Sequence, residues 1–113
     1  MSLLRPRMHP VLAFCLAVAL VMLASFTPAF AADTTVTITN FKFDPEVVTV
    51  APGTKVIFKN GDDTIHSVVA DDGSFHSDGL DTDDTYSYTF AKAGTYAYHC
   101  GLHPFMKGQI IVK

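Results

Sequence analysis

After residue 31 no part of this chain sustains a helical period, and that removes most of the architectures open to a sequence of its size. What it carries instead is a succession of short runs rich in β-branched and aromatic residues. They fall at 36–39 (VTIT), 47–50 (VVTV), 55–58 (KVIF), 67–70 (SVVA), 85–90, 95–99 and 108–112. In the fifth run Tyr86, Tyr88 and Phe90 alternate with Ser and Thr, the period-two signature of a strand with one buried face. Ala51-Pro52-Gly53-Thr54 is a turn between two of the runs, and 71–84, with Gly73 and Gly79, reads as a long polar connection. The expectation is an all-β fold, a Greek-key β-sandwich of seven to eight strands closed over one core.

The first 31 residues read as an address. Arg5 and Arg7 precede an unbroken apolar run of 14 residues at 11–24, and Ala29-Phe30-Ala31 offers small residues for cleavage after Ala31. The run is shorter than the roughly 20 residues of a spanning helix. The organisation expected is a signal peptide over 1–31, export to the periplasm, and one domain over 32–113. That domain has six Lys against eleven Asp and Glu, a net charge of −5, which argues against nucleic acid or an anionic membrane as partner. Eight of the acids lie between 62 and 84, where there is no Lys or Arg; a solvated acidic face is the expectation there.

Cys15 falls within the leader, so the exported domain holds a single thiol, Cys100, and can form no internal disulfide. A lone thiol in an oxidising compartment is an oxidation liability unless something occupies it. Alternation along 95–99 turns Tyr96 and Tyr98 inward, so Cys100 points into the domain while His99 faces out. Cys100, His103 and Met106 form C-x-x-H-x-x-M, a loop of a length that can wrap three side chains around one point. His66, at a loop-to-strand junction, is the best fourth donor. His76 lies in the polar connection and His99 on the outer face. Two imidazoles, a thiolate and a weakly held thioether make the donor set of an electron-transfer copper centre, whereas Met is a poor zinc ligand.

The stretch GTYAYHCGLHPFMKGQIIV at 94–112, with APGTKVIFKN and IHSVV before it, resembles the cupredoxin family of type 1 blue copper proteins. Within that family, which includes plastocyanin and azurin, the short Cys-to-Met loop is most similar to that of the amicyanins. The resemblance implies one copper ion held by His66, Cys100, His103 and Met106. It implies a shuttle of single electrons between periplasmic redox proteins, a dehydrogenase or cytochrome among them, by a monomer that is not an enzyme. Docking is expected at an apolar collar of Leu102, Pro104 and Phe105 around His103. The rival function is a copper carrier or store using the same donors. Ser67 stands where the family usually has Asn, and a looser ligand loop is expected from the shorter side chain.

Overall fold

The computed structural model describes residues 32–113; the signal peptide read at 1–31 lies outside the described residues. Eight strands follow in order: β1 (Thr34–Thr39), β2 (Lys42–Asp44), β3 (Val47–Val50), β4 (Thr54–Asn60), β5 (Val69–Ala70), β6 (Thr85–Phe90), β7 (Gly94–His99) and β8 (Lys107–Val112). They make two four-stranded sheets, ordered β2-β1-β4-β6 and β3-β8-β7-β5. Both sheets are mixed, with β1 parallel to β4 and β3 parallel to β8.

The alternation in the sequence becomes the two faces of each sheet. Val36 and Ile38 of β1 and Val56 and Phe58 of β4 are fully buried, while Lys55 and Lys59, which flank the β4 pair, are exposed. Ile110 and Val112 of β8 and Tyr98 of β7 close the core from the other sheet. Burying each large apolar side chain contributes about 1.5–3 kcal/mol. Aromatic rings lock the layers, Tyr98 meeting Phe58 edge-on at 5.3 Å and Phe43 at 4.7 Å between ring centroids.

Two elements depart from the sequence expectation. β2 was not expected; it is three residues long and buries only Phe43. The run at 67–70 pairs as a strand only at Val69 and Ala70, because the preceding amides are used elsewhere: Ser67 N–H points at Cys100 Sγ, and Val68 N–H donates to Ser77 Oγ. The connection at 71–84 is also less polar than expected. It turns at Gly73, whose φ of +78° suits glycine, and then folds back along 66–70. Ser77 N–H donates to the Val68 carbonyl, and Leu80 exchanges both backbone hydrogen bonds with His66. Phe75, Ser77 and Leu80 are buried as a result.

The topology gathers three connections at one pole: the turn after β1, the loop after β4, and the loop from β7 to β8. Gly61 N–H donates to the Ile38 carbonyl, tying the first two together. Buried Asn60 then organises the loop after β4. Its amide donates to the carbonyls of Thr64 and Leu80 at 2.9 and 2.8 Å, and its carbonyl accepts the Asp62 N–H at 2.9 Å.

Candidate metal centre

Each donor expected from the sequence arrives at this pole by a different local device. His66 is held on both sides by its backbone pairing with Leu80. Cys100 ends β7 with its side chain inward, as the alternation of Tyr96 and Tyr98 requires. His103 and Met106 follow on a tight loop, in which Met106 N–H donates to the His103 carbonyl and Cys100 N–H to the Met106 carbonyl, at 2.9 and 3.1 Å. Cys100 is a free thiol.

His66, Cys100 and His103 form the one cluster of three or more metal-capable His, Cys, Asp or Glu side chains among the described residues. Their donor atoms all lie within 4.8 Å of one another. Cys100 Sγ stands 3.7 Å from Nδ1 of His66 and 3.7 Å from Nδ1 of His103. An ion bonded at about 2.3 Å to sulfur and about 2.0 Å to nitrogen, with roughly trigonal angles, separates such donors by about 3.7 Å. The spacing therefore fits a shared ion. His66 and Cys100 are fully buried and Met106 nearly so, while His103 is half-buried. His76 is exposed, and His99 turns outward to meet Asp71, with 2.7 Å between Nδ1 and Oδ1.

The surroundings correct one expectation and add residues that the motif did not disclose. Ser67 does not leave the ligand loop loose: its Oγ accepts the Gly101 N–H at 2.8 Å, and its own N–H points at Cys100 Sγ at 3.3 Å. Gly101 allows that close approach, since a Cβ there would lie 2.9 Å from Ser67 Oγ. Phe41, from the turn between β1 and β2, meets both imidazoles edge-on, each at 5.2 Å between centroids. Asp62 Oδ2 lies 2.9 Å from His66 Nε2. Burial pushes this carboxyl up, but the Phe41 amide, the His66 ring and the Asn40 amide outweigh it and hold it below the ordinary carboxylate range. Asp62 reads in sequence as one acid of a polar turn, and Phe41 as an isolated aromatic. Only the hairpin that brings 40–41 over 62 reveals either.

The pole is also the apolar end of the surface. Phe41, Ile65, Leu102 and Phe105 are among the exposed large hydrophobic residues, and each neighbours or touches a member of the cluster or Met106. Phe105 is the most exposed, at 70%, and its ring lies 6.0 Å from that of His103.

Residues 13–112 match the family model described as a cupredoxin-like domain. The chain is 32% identical to amicyanin of Paracoccus versutus over 103 residues, covering 82% of this chain and 78% of that protein. Against plastocyanin of Lactuca sativa the identity is 31% over 87 residues, covering 63% of this chain and 87% of the other. The solved structure of an oxidised amicyanin variant superposes with a TM-score of 0.68 at 30% identity, covering 72% of this chain and 82% of that one.

Proposed function

The chain belongs to the cupredoxin-like family, and from that membership we propose that it binds one copper ion and carries single electrons between redox proteins. The observation that carries this reading is the cluster of one buried thiol, one buried imidazole and one half-buried imidazole, with 3.7 Å from the sulfur to each facing nitrogen. Copper bound there supplies a one-electron couple between its cupric and cuprous states.

The chain's residues divide the work. Cys100, as thiolate, is the strong soft donor; His66 and His103 complete a three-donor set through Nδ1; Met106 adds a weak thioether. Hydrogen bonds within the chain set these positions. His66 is fixed by its backbone pairing with Leu80, whose carbonyl Asn60 also holds, Cys100 by its strand, and the 100–106 loop by Ser67. A rigid donor set that suits neither oxidation state fully keeps rearrangement small when the charge changes. With its donors supplied by the chain, the site leaves no open position for a substrate to be transformed.

His103 alone of the trio reaches the surface, so a partner comes nearest to the site at its edge. The collar of Leu102, Pro104 and Phe105, widened by Phe41 and Ile65, suits the small, short-lived contacts of redox partners. We place the protein in the periplasm, after removal of residues 1–31, with a dehydrogenase or cytochrome as partner.

The test is to add one equivalent of cupric ion to the purified protein and to its Cys100→Ser variant and record visible spectra. The expected result is an intense blue thiolate-to-copper band that bleaches reversibly on reduction and is absent from the variant. A colourless adduct, or one that releases cuprous ion readily to a chelator and does not cycle, points to copper handling and ends the shuttle reading.

A further inference from the structure

Asp62 stands outside the donor set, yet its carboxylate is only 12% exposed and makes the centre's most direct polar contact. Oδ1 accepts the Asn40 N–H at 2.7 Å, and Oδ2 accepts the Phe41 N–H at 3.0 Å beside the His66 contact at 2.9 Å. The residue is itself fixed. Its N–H donates to Asn60 Oδ1, and its carbonyl accepts the Thr82 hydroxyl at 2.7 Å.

An ionised carboxylate can only accept hydrogen bonds. For a neutral His66 ring the shared proton must therefore sit on Nε2, which leaves the Nδ1 lone pair facing Cys100 Sγ. The same carboxylate explains an unfavourable turn. Asn40 and Phe41 form a two-residue connection between paired Thr39 and Lys42, with φ of 51° and 56°. A hairpin turn with both central φ values positive suits Asn but disfavours Phe. Two amide hydrogen bonds to Asp62 hold it, and in that conformation the Phe41 ring lies against both imidazoles.

We propose that Asp62 is a positioning residue of the metal centre: it fixes His66 in the Nε2–H tautomer and holds the Phe41 ring against both histidines. The inference rests on the reading of His66 as a copper ligand. Its chemical consequence is that an anionic acceptor on Nε2–H makes Nδ1 a stronger donor, which favours the more highly charged cupric state. Asp62→Asn removes the charge while keeping the size and one acceptor oxygen. It should weaken cupric relative to cuprous binding by about tenfold, which for a one-electron couple raises the reduction potential by about 59 mV.

The first measurement needs no copper. Nitrogen-resolved NMR of the metal-free protein at mildly alkaline pH should show His66 protonated at Nε2 and bare at Nδ1; the opposite tautomer overturns the proposal whatever the variants do. The second is spectroelectrochemistry of the copper-loaded protein. Asp62→Asn should keep the blue band and raise the potential. Phe41→Ala should leave the His66 tautomer unchanged. An unaltered potential and tautomer in folded Asp62→Asn reduces the carboxylate to a tie for the turn and overturns the positioning role. Should the wild-type protein give no blue band at all, the copper reading fails instead, and the tautomer result separates the two failures.

Discussion

Tyr98 is the residue where this core is least comfortable. Its ring packs against Phe43, Phe58 and Phe75, but its buried hydroxyl has no hydrogen-bond partner among the described residues. An unpaired buried hydroxyl costs about 1–3 kcal/mol, so Tyr98→Phe should stabilise the metal-free protein by about 1 kcal/mol, read as a higher urea midpoint at neutral pH. The phenol's acidity supplies a second readout. Burial, and then the charge of Glu46, push its pKa well above the usual phenol value, so the native state keeps the proton while the unfolded chain loses it near pH ~10. The associated stability is complete below that pH and is lost as pH rises toward the native value. Tyr98→Phe should flatten this alkaline decline; equal loss in both proteins would place its cause elsewhere. At this scale the clustering of candidate donors was legible because C-x-x-H-x-x-M is contiguous and alternation aims Cys100 inward. Asp62 and Phe41 were not, because their roles depend on two loops 21 residues apart in sequence that meet only after folding.

Strands with β-branched residues on one face could be read from period alone, and β1, β3, β4, β6, β7 and β8 lie within a residue or two of their expected ends. β2 could not, since three residues offer no period and its one inward side chain, Phe43, looks like any loop aromatic. The 71–84 segment misled for a related reason. Its Asp and Gly content marks a solvated loop, but Phe75 and Leu80 are apolar enough to be drawn under it once 66–70 provides hydrogen-bond partners. A further constraint belongs to the β7–β8 pair. Gly108 lies opposite Tyr98 in the register, and a Cβ at that position would overlap the Tyr98 ring, which crosses directly over the glycine. The need is for space and not for an unusual φ. Gly108→Ala should therefore cost about 1–3 kcal/mol, as overpacking does, visible as a lowered urea midpoint of the metal-free protein. In a Tyr98→Ala background, where the overlapping ring is gone, the same substitution should cost much less. A similar cost in both backgrounds would remove the steric explanation.

For the molecule as a whole, the two sheets serve to bring three distant loops to one pole. Residues 32–113 carry a net charge of −5, yet the collar around His103 has Phe105 exposed at 70% and Leu102 at 53%. If electrons leave through this collar, two molecules of the protein would exchange them patch to patch, so self-exchange between the oxidised and reduced copper forms tests docking without knowledge of the natural partner. Phe105→Glu replaces the most exposed apolar side chain with a charge that faces its own copy across any such contact. Like charges brought together at an interface cost energy and slow encounter, and a loss of about 1.4 kcal/mol in the productive contact is tenfold in rate. The variant should keep the blue spectrum and the potential, because Phe105 supplies no donor atom, while self-exchange measured by NMR line broadening falls about tenfold. Added salt should recover part of the loss, since exposed charges are screened within about 10 Å at moderate ionic strength. If self-exchange in Phe105→Glu matches that of the wild type, electrons do not leave through the collar at His103, and the apolar pole would need another occupant to explain it.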